Sequence, residues 1–115
     1  MSYIDGTVIA VPTANKDQYL AHAKASSAIF KEFGATKVVE NWGNDVPDGK
    51  VTDFKRAVQA KPDETVVFSW ITWPDKKTRD AGWESVMKDE RMTKMQMPFD
   101  GKRMIFGGFE SVYEA

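Results

Sequence analysis

Eight consecutive residues, Val66 to Trp73 (VVFSWITW), carry no charge and include two tryptophans. Side chains on a strand alternate sides, so Val67, Ser69, Ile71 and Trp73 share one face and Val66, Phe68, Trp70 and Thr72 the other. Neither set suits water. The rest of the chain reads as elements arranged around this strand. Residues 3–12 (YIDGTVIAVP) alternate and are rich in Tyr, Ile, Thr and Val, which predicts a strand ended by Pro12. From 15 to 33 the period becomes helical: Tyr19, Ala23, Ser26, Phe30 and Phe33 fall on one side, and Lys16, Lys24 and Lys31 away from it. Residues 13–15 offer capping side chains, and Gly34 is placed to terminate the helix.

Residues 36–46 (TKVVENWGNDV) return to a strand pattern, and VPDGK at 46–50 is a turn by its Pro and Gly. The stretch 51–60 (VTDFKRAVQA) fits two states, a single helical turn capped by Thr52 or Asp53, or a pairing strand. The strand 64–73 is stopped by Pro74. Asp75 is an N-cap for a second helix to about Arg91, with Trp83, Val86 and Met87 on its apolar side. A loop with PFDG at 98–101 leads to a last strand, 102–113 (KRMIFGGFESVY). In it Met104, Phe106 and Val112 point one way, and Ile105, Phe109 and Tyr113 the other.

Strand, helix, strand, strand, helix, strand is the order of the split βαβ, ferredoxin-like arrangement. This α+β class has a four-stranded antiparallel sheet with both helices on one face. Two helices roof one face only. The second face is also apolar, and it would leave a patch beyond the few hundred Å² common on monomers. Burying one large apolar side chain is worth ~1.5–3 kcal/mol. The expected assembly is therefore a homodimer with sheets paired face to face, enclosing a barrel-like space.

A chain of 115 residues is expected to form one domain, 1–115, with an ordinary core. The absence of cysteine excludes disulfides, thiolate catalysis and Cys-based metal sites. The single histidine, His22, excludes any site that needs two imidazoles. Sixteen basic residues against seventeen acidic ones give no reason to expect a nucleic acid or an anionic membrane as main partner. No apolar run approaches the ~20 residues of a membrane span. The N-terminus lacks the basic start and apolar core of a signal peptide. A cytoplasmic location is the expectation, with no cofactor.

Three blocks, VENWGNDVPDGKVTDF at 39–54, VVFSWI at 66–71 and MPFDGKRMIFGGFESV at 97–112, resemble the bacterial YbaA-like family over nearly the whole length. The resemblance implies membership of the dimeric α+β barrel superfamily. That superfamily also holds cofactor-free quinol-type monooxygenases, haem-degrading monooxygenases and several isomerases. It implies the dimer and supplies no reaction. In the haem-degrading relatives the iron-binding histidine lies on the second helix, where this chain has none.

Six residues are candidates for lining a ligand pocket: His22, Glu40, Trp42, Ser69, Trp73 and Arg79. His22, at the edge of the first helix's apolar face, could serve as a general base; the commoner fate is a half-buried histidine bonded to a carboxylate or carbonyl. Helical spacing puts Arg79 on the same side as Gly82, Trp83 and Val86, facing the sheet. There a guanidinium must find an anion, either a ligand's carboxylate or phenolate or an internal partner such as Glu40. Glu40 shares a strand face with Trp42 and needs a partner or a raised pKa, the simplest partner being Arg79 or Arg103. Ser69 and Trp73 would line a pocket if their strand face is the enclosed one.

Asp45 and Asp48 are expected to bond backbone amides of the turn. Gly107 and Gly108 mark a bulge or a close backbone approach. Met92, Met95, Met97 and Met104 suit dimer packing or a ligand mouth equally. Arg91, Lys94, Lys102 and Arg103 could gather as a basic patch. The functional expectation is a small aromatic or enolisable molecule bound or converted in the barrel, as in a cofactor-free oxygenase or isomerase. A non-catalytic dimeric interaction module is the alternative, with RNA association a remote third.

Overall fold

The computed structural model describes residues 2–115. The β-strands are β1 (Tyr3–Pro12), β2 (Lys37–Trp42), β3 (Glu64–Trp73) and β4 (Ile105–Glu110), and the helices α1 (Lys16–Glu32), α2 (Phe54–Ala57), α3 (Lys76–Lys88) and α4 (Glu90–Thr93). The strands form one sheet in the order β2-β3-β1-β4, with every neighbouring pair antiparallel. This is the α+β, ferredoxin-like arrangement that the element order predicts, as a slab of 38 × 36 × 21 Å.

Register assigns the faces. Tyr3 pairs with Trp73, Thr7 with Ser69 and Ile9 with Val67, and Glu40 lies opposite Ser69. These residues share the face covered by α1 and α3. Two apolar clusters fill that layer. One is built on Ile9, Val11, Tyr19, Ala23 and Val67, with Trp42, Phe99 and Met104 against it. The other is built on Ile29, Phe30, Ala35, Trp73 and Val86. Trp73 fits under α3 because position 82 has no side chain: a Cβ on Gly82 would lie 2.5 Å from the Trp73 ring and 2.9 Å from the Phe33 carbonyl oxygen. Gly34 takes φ +116° where α1 ends, a conformation that L side chains rarely adopt.

The opposite face carries Ile4, Gly6, Val8 and Ala10 of β1 with Val66, Phe68 and Trp70 of β3. It is not wholly bare. The ambiguous stretch 51–60 forms the helical turn α2, whose N-cap Asp53 accepts a hydrogen bond from the Arg56 amide at 2.7 Å. It delivers Val58, fully buried, onto Val8, Ala10 and Val66. The segment between β2 and β3 therefore roofs one end of the second face.

Three elements differ in extent from the expectation. The second strand stops at Trp42, although the Gly43 amide still donates to the Val66 carbonyl at 2.8 Å, where a Cβ on residue 43 would lie 2.6 Å from that oxygen. The second helix breaks before Arg91: Asp89 is extended (φ −78°, ψ 126°) and its carboxylate caps α4, accepting from the Arg91 amide at 2.9 Å. The last strand is shorter at both ends, because Asp100 caps a tight turn over 101–103 and pairing with β1 ceases after Glu110. Among the described residues no helix is long and apolar enough to cross a membrane.

Candidate functional site

Two polar clusters lie in the helix-covered layer, each built by residues far apart in sequence. The first centres on Asp5, which β1 buries beneath α3. Its carboxylate accepts the indole N–H of Trp73 at 2.8 Å and that of Trp83 at 2.7 Å. The Arg79 guanidinium donates to it through Nη2 at 2.7 Å and through Nε at 3.1 and 3.2 Å. Arg79 also stacks over the Tyr3 ring, 5.1 Å from its centroid, and pairs with Asp80 at 3.0 Å. The hydrogen bonds it donates to Asp5, more than any other cause, push the guanidinium further toward the charged form. Gly108 of β4 makes room: a Cβ there would lie 2.5 Å from the Tyr3 hydroxyl and 2.9 Å from Arg79 Nη2.

This corrects one expectation and decides between the alternatives of another. Arg79 pairs with Asp5, not Glu40, because the Asp5 carboxylate lies within reach of α3 while Glu40 is engaged by Tyr19 of α1. Gly107 and Gly108 form no bulge, since each has a single partner on β1, and of the two only Gly108 marks a close approach. The Asp5 carboxylate, the two indole N–H groups and the Arg79 guanidinium are matched with one another, which makes the cluster a clamp between β1, β3 and α3.

The second cluster joins four of the six candidates. Tyr19 of α1 is buried and donates its hydroxyl proton to Glu40 Oε1 at 2.5 Å. Ser69 lies opposite Glu40 across the β2–β3 pairing and exchanges a hydrogen bond with Thr7. Among the described residues no cation stands within ion-pair distance of Glu40; Arg103, the other expected partner, holds Glu64 instead at 2.7 Å. Desolvation consequently raises the Glu40 pKa above the ordinary carboxylate value, although the Tyr19 and Ser69 hydrogen bonds oppose it. Burial, then the Glu40 carboxylate, pushes the Tyr19 phenol upward as well.

His22 lies one helical turn beyond Tyr19, the two ring centroids 6.3 Å apart. Burial lowers its pKa below the usual imidazole value, although a hydrogen bond with the Gln96 backbone opposes the shift. Its Nδ1 is sealed from solvent and has no hydrogen-bond partner. Trp42 closes one side, 6.4 Å from the Tyr19 ring, with the Lys16 ammonium 5.3 Å over its own ring. Phe99 closes another, 5.8 Å from Tyr19 and edge-on to His22 at 6.0 Å.

Trp73, the sixth candidate, has no exposed surface, and the Ser69–Trp73 face is the one the helices cover. The space open to a ligand lies on the other side of the sheet. There a shallow hollow of about 480 Å³ is lined by Ile4, Gly6, Phe68, Trp70, Ile105 and Phe109, with Glu110 and Ser111 at its edge. Phe68, Ile105 and Phe109 are exposed. The residues of this hollow other than Phe68 and Trp70 escape a search for acids, bases and anchors, because glycines and aliphatic strand positions carry no chemical signature. Only their alternation marks them.

No group of His, Asp and Glu among the described residues is arranged to hold a metal ion. Of the four basic residues that could gather as a patch, Arg91 is engaged by Glu32 and Asp89, and Arg103 by Glu64 and Asp100. Asp48 pairs with Lys55 at 2.8 Å, and it is Asp53 that accepts the Gly49 amide at 3.0 Å.

Residues 2–101 match the family model described as "Protein of unknown function (DUF1428)". The chain is 55% identical over 116 residues to the "Uncharacterized protein YbaA" of Escherichia coli K12 and to that of Shigella flexneri, covering 99% of both sequences in each comparison. A crystal structure of a dimeric ferredoxin-like protein from an uncultured marine organism superposes with a TM-score of 0.61 at 10% identity, over 99% of this chain and 98% of that one. A family match spanning most of the chain and end-to-end identity above half leave one assignment: the chain belongs to the DUF1428 family.

Proposed function

We propose that this chain works as a homodimer whose uncovered sheet faces meet and hold a small aromatic or enolisable molecule between them. One observation carries the reading: a hollow of about 480 Å³ with an apolar lining sits on the sheet face opposite α1 and α3. Its volume falls in the range of small-molecule sites, ~300–1,000 Å³. Exposed Phe68, Ile105 and Phe109 beside Trp70 supply flat apolar walls for a ring. Apposing a second copy removes these side chains from water and turns an open hollow into an enclosed one. The dimeric state of the marine ferredoxin-like protein, whose fold this chain shares, is consistent with that assembly.

The lining holds no acid–base pair, so this hollow suits binding better than proton chemistry. Light scattering at micromolar concentration tests the dimer, with Phe68→Asp as the breaking variant; a monomeric wild-type chain refutes it. Thermal-shift screening with phenols, quinols and enolisable acids tests the ligand. A compound at 100 times its dissociation constant adds ~2.7 kcal/mol of stability. Silence across all three classes in a confirmed dimer leaves the non-catalytic interaction module as the function.

A further inference from the structure

We propose that the hollow of each copy is closed by its partner, whose Phe54-bearing turn α2 sets into it, so that each site is built from both chains. This rests on the face-to-face homodimer proposed above and specifies how the two faces are matched. The open face has relief along the lane formed by β1 and β3. At one end stands α2, held over Val8, Ala10 and Val66 by Val58. At the other end lies the hollow, lined by Ile4, Gly6 and Trp70. Phe54 and Phe68 meet between the two, their ring centroids 5.9 Å apart.

A knob and a hollow on one face suit a two-fold dimer, because each contact in such an interface occurs twice with the roles exchanged. Two axes lying in the sheet plane bring the faces together. An axis along the strands lays knob on knob. A helical turn with its side chains is ~10 Å across, so two stacked turns hold the sheets apart by both thicknesses and leave the hollows wet. An axis across the strands reverses the lane. Each knob then lies over the partner's hollow, with one thickness between the sheets. The area suffices: the broad side of the slab measures 38 × 36 Å, enough for the ~800 Å² per partner of a stable interface.

The knob is built to hold its shape. Asp53 accepts the amides of Gly49 and Arg56 at 3.0 and 2.7 Å, and Arg56 donates to the Gly49 carbonyl at 2.9 Å. Lys55 pairs with Asp48 at 2.8 Å. All this internal bonding nevertheless leaves Val51 91% and Phe54 49% exposed. A turn already ordered loses little entropy on docking, and an aromatic side chain is a favoured interface anchor. Charge agrees. Residues 48–56 carry Lys50, Lys55 and Arg56 against Asp48 and Asp53, a positive balance, and Glu110 at the edge of the hollow is negative.

The chain has no cysteine, so single-cysteine variants treated with a short bismaleimide read the packing directly. Phe54→Cys and Phe109→Cys are each expected to stay unlinked alone and to give a covalent dimer when mixed. Ile4→Cys replaces Phe109→Cys should the latter lose its dispersed NMR spectrum. Phe54→Ser should raise the dimer dissociation constant roughly 100-fold, since two symmetric copies of one aromatic anchor are lost together. Light scattering on the same samples separates this packing from the dimer itself. A monomeric wild-type chain overturns both. A dimer in which Phe54→Cys links to itself, in which the mixture stays unlinked, or which Phe54→Ser leaves equally tight overturns the knob-in-hollow packing alone.

Discussion

Removal of the Asp5 carboxylate tests how the two layers are held together. In Asp5→Ala the buried Trp73 indole N–H, the Trp83 indole N–H and the Arg79 guanidinium lose their shared acceptor at once. Truncating one partner of a buried, hydrogen-bonded pair costs ~3–5 kcal/mol. Trp83 and Arg79 keep some access to water, so a value near ~4 kcal/mol is expected. A chain of this length unfolds with an entropy of roughly 0.24 kcal/mol/K, which turns the loss into a fall of ~16 °C in Tm. Asp5→Asn retains one carbonyl acceptor and should lose about half as much. The assay is chemical and thermal denaturation at one fixed protein concentration, because any association of chains would also stabilise the fold. Arg79→Ala and the double variant complete the cycle, and the double variant should lose at least ~1.5 kcal/mol less than the sum. A fall below ~4 °C for Asp5→Ala, or strict additivity, would refute the clamp.

Glu64 is held down to about pKa 2, chiefly by its hydrogen bonds from Arg103. Its contribution is therefore present above the unfolded value of 4.5 and fades as pH falls toward 2. Glu64→Gln should flatten the acid limb of a stability-versus-pH curve measured by urea titration. Glu40 is shifted the other way by burial. Its share of stability is full below 4.5 and is lost as pH rises through the raised folded value, so Glu40→Gln should remove a decline on the neutral side of the same curve. His22 should titrate by NMR with a midpoint below 6.5, and a midpoint at or above it would contradict the burial described. Gly82→Ala must drive a methyl into Trp73 and the Phe33 carbonyl; a loss of ~1–3 kcal/mol is expected from calorimetry.

The strands and their faces were legible in the sequence because alternation has a period of two and needs no knowledge of neighbours. The pattern separated Val67, Ser69, Ile71 and Trp73 from Val66, Phe68 and Trp70, and the register bears that out. The two main helices were legible for the same local reason, as was the cap at Asp75, whereas Asp53 was one of two caps offered in a stretch that also fitted a strand. Four of the six candidate side chains do meet around Tyr19, which the apolar spacing of the first helix had marked only as core. What the pattern could not contain was pairing across distance. Arg79 could be foreseen to need an anion, yet Asp5 lies 74 positions away and looks like any polar residue near a chain end.

Tertiary structure also decided which face the helices cover, and with it whether Ser69 and Trp73 meet a ligand or the core. A strand apolar on both sides gives no sign of direction; that depends on the side to which the following chain crosses. The turn carrying Val58 is the sharpest instance. Its sequence allowed a helix or a strand, and only the empty end of the second face, waiting beside Val8 and Val66, selected the helix.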